Sequence, residues 1–229
     1  MRAPSAIALV TVTLMSCGSA YAKHPKPREP SEFENAEIRV EQNATDGDTE
    51  VVIFAKGGDD GFKHFRVGSP DRRIVVATFS LDSTVRGQRE LLFESPEPPG
   101  EAILAAYPEG SYRFDGVTHK GERFAGTARL SHELPPATVI LSPADGASIG
   151  SGPLLIQWSQ VPGAAQILLE LENESADPEQ VLTFTLPADA TSFEVPAVLM
   201  TPGASYQLSI GTVAGNGNRV FVEVGFQTR

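Results

Sequence analysis

The residues best spaced for chemistry lie in QNATDGDTEVV, Gln42–Val52, where Asp46, Asp48 and Glu50 alternate like the first odd-numbered ligands of an EF-hand calcium loop. That loop needs glycine at its sixth position and glutamate at its twelfth, and here those positions hold Val51 and Gly57. The stretch therefore reads as an Asp-Gly turn between two strands. A looser surface calcium site on Asp46 and Asp48 would need help from Asp59 or Asp60 in the GGDDG turn. Calcium is the one cofactor the sequence suggests.

Other candidate chemistry is thinner. GASIG, Gly146–Gly150, fits the G-x-S-x-G serine hydrolase pattern, but a strand follows it and no histidine occurs after His132, so the usual Ser, acid, His order cannot be completed. The four histidines, His24, His64, His119 and His132, show no zinc-type spacing, and His132 is placed to hydrogen-bond across a domain junction. Carboxylates pair in sequence at Asp59-Asp60, Glu94 with Glu97, and Glu101 with Glu109. A glycosidase would need two of them facing across a cleft, which turns and an acidic surface do not require. YPEGSYRF is the first candidate for a binding patch, with Tyr107, Glu109, Tyr112 and Arg113 setting aromatic surface beside charge. The competing assignment puts alternate aromatics of that run in a core.

The elements that must position these residues are strands. Between residues 35 and 134, AEIRVEQ, EVVIFAK, FKHFRV, RRIVVATF, RELLFE, SYRFDGV and RFAGTARLS are separated by turn-rich segments. One stretch differs: in EAILAAYPEG, 101–110, Ile103, Leu104 and Tyr107 fall at helical spacing before a stop, predicting a short helix across one end of a sandwich. Residues 137–229 give seven more strand-like runs. The expected fold is all-β, two consecutive antiparallel sandwiches parted near the paired prolines Pro135-Pro136.

Composition bounds the setting. Met1-Arg2, the apolar run Ala6–Met15 and Ala20-Tyr21-Ala22 form a signal peptide, residues 1–22, so the chain is expected to be exported to the periplasm or beyond, with no transmembrane span. Residues 23–34 read as a disordered, proline-rich leader. The single cysteine, Cys17 in LMSCG, sits in a lipoprotein-like box and gives a second exit, lipid anchoring to the outer membrane. After Ala22 the chain holds 17 Lys+Arg and 29 Asp+Glu, 17 − 29 = −12, which argues against nucleic acid and anionic membranes as partners.

Residues 137–229 resemble a fibronectin type III domain. The resemblance rests on PADG, on Trp158 in LLIQWSQVPGAAQILLEL, on Leu199, Pro202-Gly203 and Tyr206 in LMTPGASYQLSI, and on the closing AGNGNRV and FQT. It implies that Trp158 fills the space between two sheets and that the Tyr206 hydroxyl bonds to backbone just upstream, both as fold residues. The preceding region is similar to the N-terminal part of secreted bacterial proteins that carry such a domain, through TDGDTEVVI, FESPEP and YPEGSYRFDGVTHKGERFAGTARLSHELP. That resemblance implies an architecture and no activity. The function expected is a non-enzymatic exported module, probing as a monomer for a protein or polysaccharide of the cell envelope. Its alternatives are a structural spacer, a lipid-anchored envelope protein or an accessory of polysaccharide processing.

Overall fold

The computed structural model describes residues 29–96, 100–150 and 152–229; the expected signal peptide, Cys17, most of the expected leader and Glu97 lie outside them. The first half carries β1 (Asn35–Asn43), β2 (Thr49–Lys56), β3 (Phe62–Gly68), β4 (Val75–Ser80), β5 (Glu90–Glu94), helix α1 (Gly100–Ala106), β6 (Gly110–Thr118) and β7 (Arg123–Leu130). The second half carries β8 (Ile140–Ser142), β9 (Ala147–Ile149), β10 (Leu154–Trp158), β11 (Gln166–Asn173), β12 (Gln180–Pro187), β13 (Ser192–Val195), a 3-10 turn (Ala197–Leu199), β14 (Ser205–Val213) and β15 (Arg219–Thr228).

Two sandwiches result, and they have the same strand order. In the first, sheet β4-β3-β6-β7 faces β1-β2-β5; in the second, β12-β11-β14-β15 faces β13-β10-β8. Alternation explains the layering: Phe62, Phe65 and Val67 on β3, Tyr112 and Phe114 on β6, and Ile38 and Val40 on β1 all turn inward. Each sandwich has its own hydrophobic cluster, the second built around Trp158, Leu169, Leu208 and Phe226. As the spacing predicts, α1 lies over an end of the first sandwich, where it contacts β2 and buries Ile103.

The cores are filled differently. Trp158 points inward from the end of β10 and is 1% exposed. The first sandwich has Gly57 just beyond β2, and the ring of Phe62 fills that space: a Cβ on Gly57 would lie 2.0 Å from the ring. Phe62 joins a ring cluster with Phe33, Phe65 and Phe124, centroids 5.2–6.2 Å apart.

The sandwiches are also fused edge to edge. β1 pairs with β15 in parallel, Glu41 opposite Arg219 and Asn43 opposite Phe221, so one sheet runs β12-β11-β14-β15-β1-β2-β5 through both halves. The sequence shows consecutive sandwiches and does not show this seam. The strand runs of both halves are found as expected, except that Arg72–Ile74 forms a turn before β4 and GASIG contains the short strand β9.

Candidate functional site

The seam starts from the turn that looked like a metal loop. β1 and β2 form an antiparallel hairpin, and Asn43 accepts from the Gly47 amide at 2.8 Å, with Gly47 at φ +90, a conformation that glycine adopts freely. Asp46 caps the turn: its Oδ1 accepts the Asp48 amide at 3.0 Å. The tip then docks onto β15. The Ala44 amide donates to Phe221 O, the Glu223 amide donates to Thr45 Oγ1, and Asn43 Nδ2 donates to Glu223, each at 2.8 Å. The turn thus extends the shared sheet.

This placement gives Asp46, Asp59 and Asp60, the residues named for calcium beside Asp48, other partners. Asp46 serves the turn, while Asp59 and Asp60 are held by Arg89 at 3.1 Å and Lys120 at 2.6 Å. Among the described residues no three His, Cys, Asp or Glu side chains converge on a point a cation could occupy.

A second clamp closes the other end of the seam. Asn218, 1% exposed, accepts the Val40 amide at 2.8 Å and donates to the carbonyls of Ser131 and Glu133, both 2.8 Å. Asn216 adds a bond to Glu133 O. The β14–β15 hairpin tip therefore grips both β1 and the segment leading out of β7. His132, expected to bridge this junction, instead bonds within the first sandwich through Nε2 to Tyr107 O at 2.8 Å.

On the outer face of the shared sheet the seam forms a groove of ≈ 380 Å³. Arg39 lies between Glu37 at 3.2 Å and Glu41 at 2.5 Å, and Arg219 reaches Glu41 at 3.1 Å. Glu170 on β11 and Glu223 on β15 complete the lining. Burial pushes the Glu170 carboxyl up, and the charges of Glu41 and Glu223 add to this. Burial likewise lowers Arg219, with Arg39 contributing repulsion. Phe221 covers the floor, its ring lying where a Cβ on Gly211 would be 2.5 Å away. Chemically this is an ion network in which two guanidiniums offset a crowd of carboxylates.

The YPEGSYRF patch does not assemble. Strand alternation in β6 sends Tyr112 and Phe114 into the core at 0% exposure and leaves Arg113 outside, clasped by Asp115 at 2.8 Å. Glu109 accepts the His132 amide at 2.7 Å, which holds its carboxyl below the usual range, and Tyr107 packs against the first core. Tyr112 has a different use. Its hydroxyl donates to Pro108 O at 2.9 Å, and burial pushes its pKa up to about 12. Tyr206 is the counterpart: its hydroxyl accepts the Thr201 amide at 2.7 Å, and Trp158 is buried between the sheets. The signal was in the sequence, since YPEGSY and TPGASY repeat a proline four residues before a tyrosine.

GASIG holds no nucleophile elbow: β9 pairs in parallel with the end of β15, and Ser148 Oγ accepts from Arg229 Nε at 2.7 Å. His64 bonds Ser80 and His119 bonds Asp60 O, each on its own surface.

No protein-family model matches the sequence, and neither does any curated protein. Among solved structures, the fibronectin(III)-like modules of Clostridium thermocellum CbhA are 10% identical, with a TM-score of 0.33 over 86% of this chain and 93% of theirs. A two-domain fibronectin type III segment of chicken tenascin is 10% identical, with a TM-score of 0.31 over 86% of this chain and 99% of that segment. The fold assignment rests on the molecule's own topology, a three-strand sheet against a four-strand sheet with a tyrosine corner before the penultimate strand of each half. On that topology, the chain has a fibronectin type III-like fold.

Proposed function

We propose that this chain is an exported, non-enzymatic binding module of the cell envelope, two sandwiches of about 100 residues each, 35–134 and 137–229, held in one fixed relation to present sheet faces to a protein or polysaccharide partner. The observation that carries the reading is the seam. β1–β15 pairing and the Asn218 clamp join the two sandwiches, and the described residues leave the outer face of β4-β3-β6-β7 uncovered. A fixed scaffold lowers the entropy lost on binding. Export rests on the signal-peptide pattern of residues 1–22.

The test is to immobilise the full mature chain and titrate envelope proteins and polysaccharides over it, following both retention and ligand integrity. Saturable, reversible retention of intact ligand supports a binding module. Conversion of the ligand, or no saturable retention at all, sinks the reading. The same seam favours a spacer as the second reading, and a mature N-terminus at lipid-modified Cys17 would support that.

A further inference from the structure

The uncovered face of the first sandwich is basic, although the chain as a whole has a net charge of −11. Register aligns its residues. Arg66 on β3 lies opposite Asp115 on β6 and Thr78 on β4, Arg113 opposite Thr127, Arg129 opposite Ser111, and Arg123 opposite Val117. All four arginines are exposed, and the Ser69–Ile74 turn adds exposed Arg72 and Arg73 at one end.

Little on the face offsets them. Among the described residues its ion pairs are Arg113 with Asp115 at 2.8 Å and Arg73 with Asp71 at 3.9 Å. Glu109 and Glu122 sit at the ends of the sheet, hydrogen-bonded by the His132 amide and by Ser31, and the charge of Glu109 reaches Arg129 from beyond ion-pair distance. Among the described residues Arg66, Arg72, Arg123 and Arg129 have no carboxylate within ion-pair distance. A shallow groove runs from Arg72 past Ser111 and Arg113 to Thr127.

We infer that this face binds a linear anionic polysaccharide. The inference rests on the reading of the chain as a binding module, and names its ligand class and surface. Side chains on one face of a strand repeat at about 6.8 Å and across strands at about 4.8 Å, so the guanidiniums form a flat array. Planar guanidinium forks pair with carboxylate or sulfate groups recurring along an extended polymer. Ser111, Thr78 and Thr127 between them offer hydroxyls to a sugar backbone. Among the described residues the exposed ring beside these arginines is His64, which bonds Ser80, and a single imidazole is a poor platform for successive stacked bases. Exposed apolar side chains, Ile74 and Val75, are confined to the β4 edge, too few to enter a bilayer.

The experiment titrates the full mature chain with polygalacturonate by calorimetry at low and at physiological salt, with dextran as the neutral polymer. Arg66→Glu/Arg129→Glu is compared with Arg86→Glu/Arg229→Glu, which changes net charge equally away from the face, and Arg66→Gln/Arg129→Gln replaces the first pair if it misfolds. The expected result is saturable binding weakened at least tenfold by the face variant, within twofold of wild type for the control, and weaker at higher salt. Equal loss in both variants, no binding by the wild type, or tighter binding to anionic phospholipid vesicles or single-stranded DNA overturns it. So does a salt-sensitive self-association that uses the same arginines against the acidic seam of a second copy. Retention of an envelope protein or neutral polysaccharide without polygalacturonate binding overturns this inference alone; no retention of anything overturns the binding reading as well.

Discussion

Tyr112 and Tyr206 perform the same task with opposite hydrogen-bond roles. Tyr206 accepts the Thr201 amide, so Tyr206→Phe removes the partner of a part-buried N–H and should cost about 0.5–1.5 kcal/mol by denaturant unfolding. Tyr112 donates to Pro108 O, and its neutral form is the one the fold keeps, with a pKa of about 12 in place of 10.0. The linkage sign follows: unfolded Tyr112 ionises first, so its contribution is whole below pH 10 and falls as pH rises towards 12. Ultraviolet titration should show one tyrosine ionising last, and Tyr112→Phe should remove that late step. Glu170 obeys the same sign in the carboxylate range. Its raised pKa means the charged form is disfavoured in the fold, so Glu170→Gln should raise Tm at pH 7 and lose that advantage as pH falls to about 4. A Tm gain that persists at low pH would point to packing instead.

At the scale of elements, the hairpin tips decide how the sandwiches meet. Asn218→Ala leaves the Val40 amide and the Ser131 and Glu133 carbonyls without their shared partner, at a cost of about 2 kcal/mol or more and a Tm lower by about 4–8 °C. Asn218→Asp tests the geometry: it keeps the acceptor for Val40 but cannot donate to the two carbonyls, and should recover part of the loss at most. The Ala44–Asp48 turn is predicted to be indifferent to calcium, since Asp46 caps the turn and Asp59 and Asp60 already face cations. An unchanged Tm with calcium or with a chelator agrees, and a rise of several degrees with calcium would restore a metal site there.

For the whole molecule, a sheet that passes through both halves couples their unfolding. Calorimetry should show one transition, because losing β15 strips β1 of an edge partner and exposes the charged seam to unfavourable pairing. Two separated transitions would mean that the seam contributes little. Mass spectrometry of the mature N-terminus addresses export: Lys23 supports cleavage after Ala22, and a lipid-modified Cys17 supports anchoring. The exclusion of anionic partners from net charge also changes at this scale. A sum over the chain does not register that the sheet pleat gathers Arg66, Arg113, Arg123 and Arg129 on one face while Glu41, Glu170 and Glu223 collect on another.

Much of the fold was legible in the sequence because it is written in local periodicity. Alternating residues marked β1 to β3 and β5 to β7, helical spacing marked α1, and Trp158 and Tyr206 with their neighbours marked the second sandwich. The same alternation could have assigned Tyr112 to the core and Arg113 to the surface, and the YPEGSY and TPGASY repeat could have shown the first sandwich to be a copy in plan of the second. The seam was not legible. β1 and β15 are separated by nearly the whole chain, and no local preference records which edge a strand will meet. The bonds of Asn43, Thr45 and Asn218 across that distance, the groove around Arg39 and Arg219, and the basic face opposite all follow from pairing over long range, which tertiary structure alone decides.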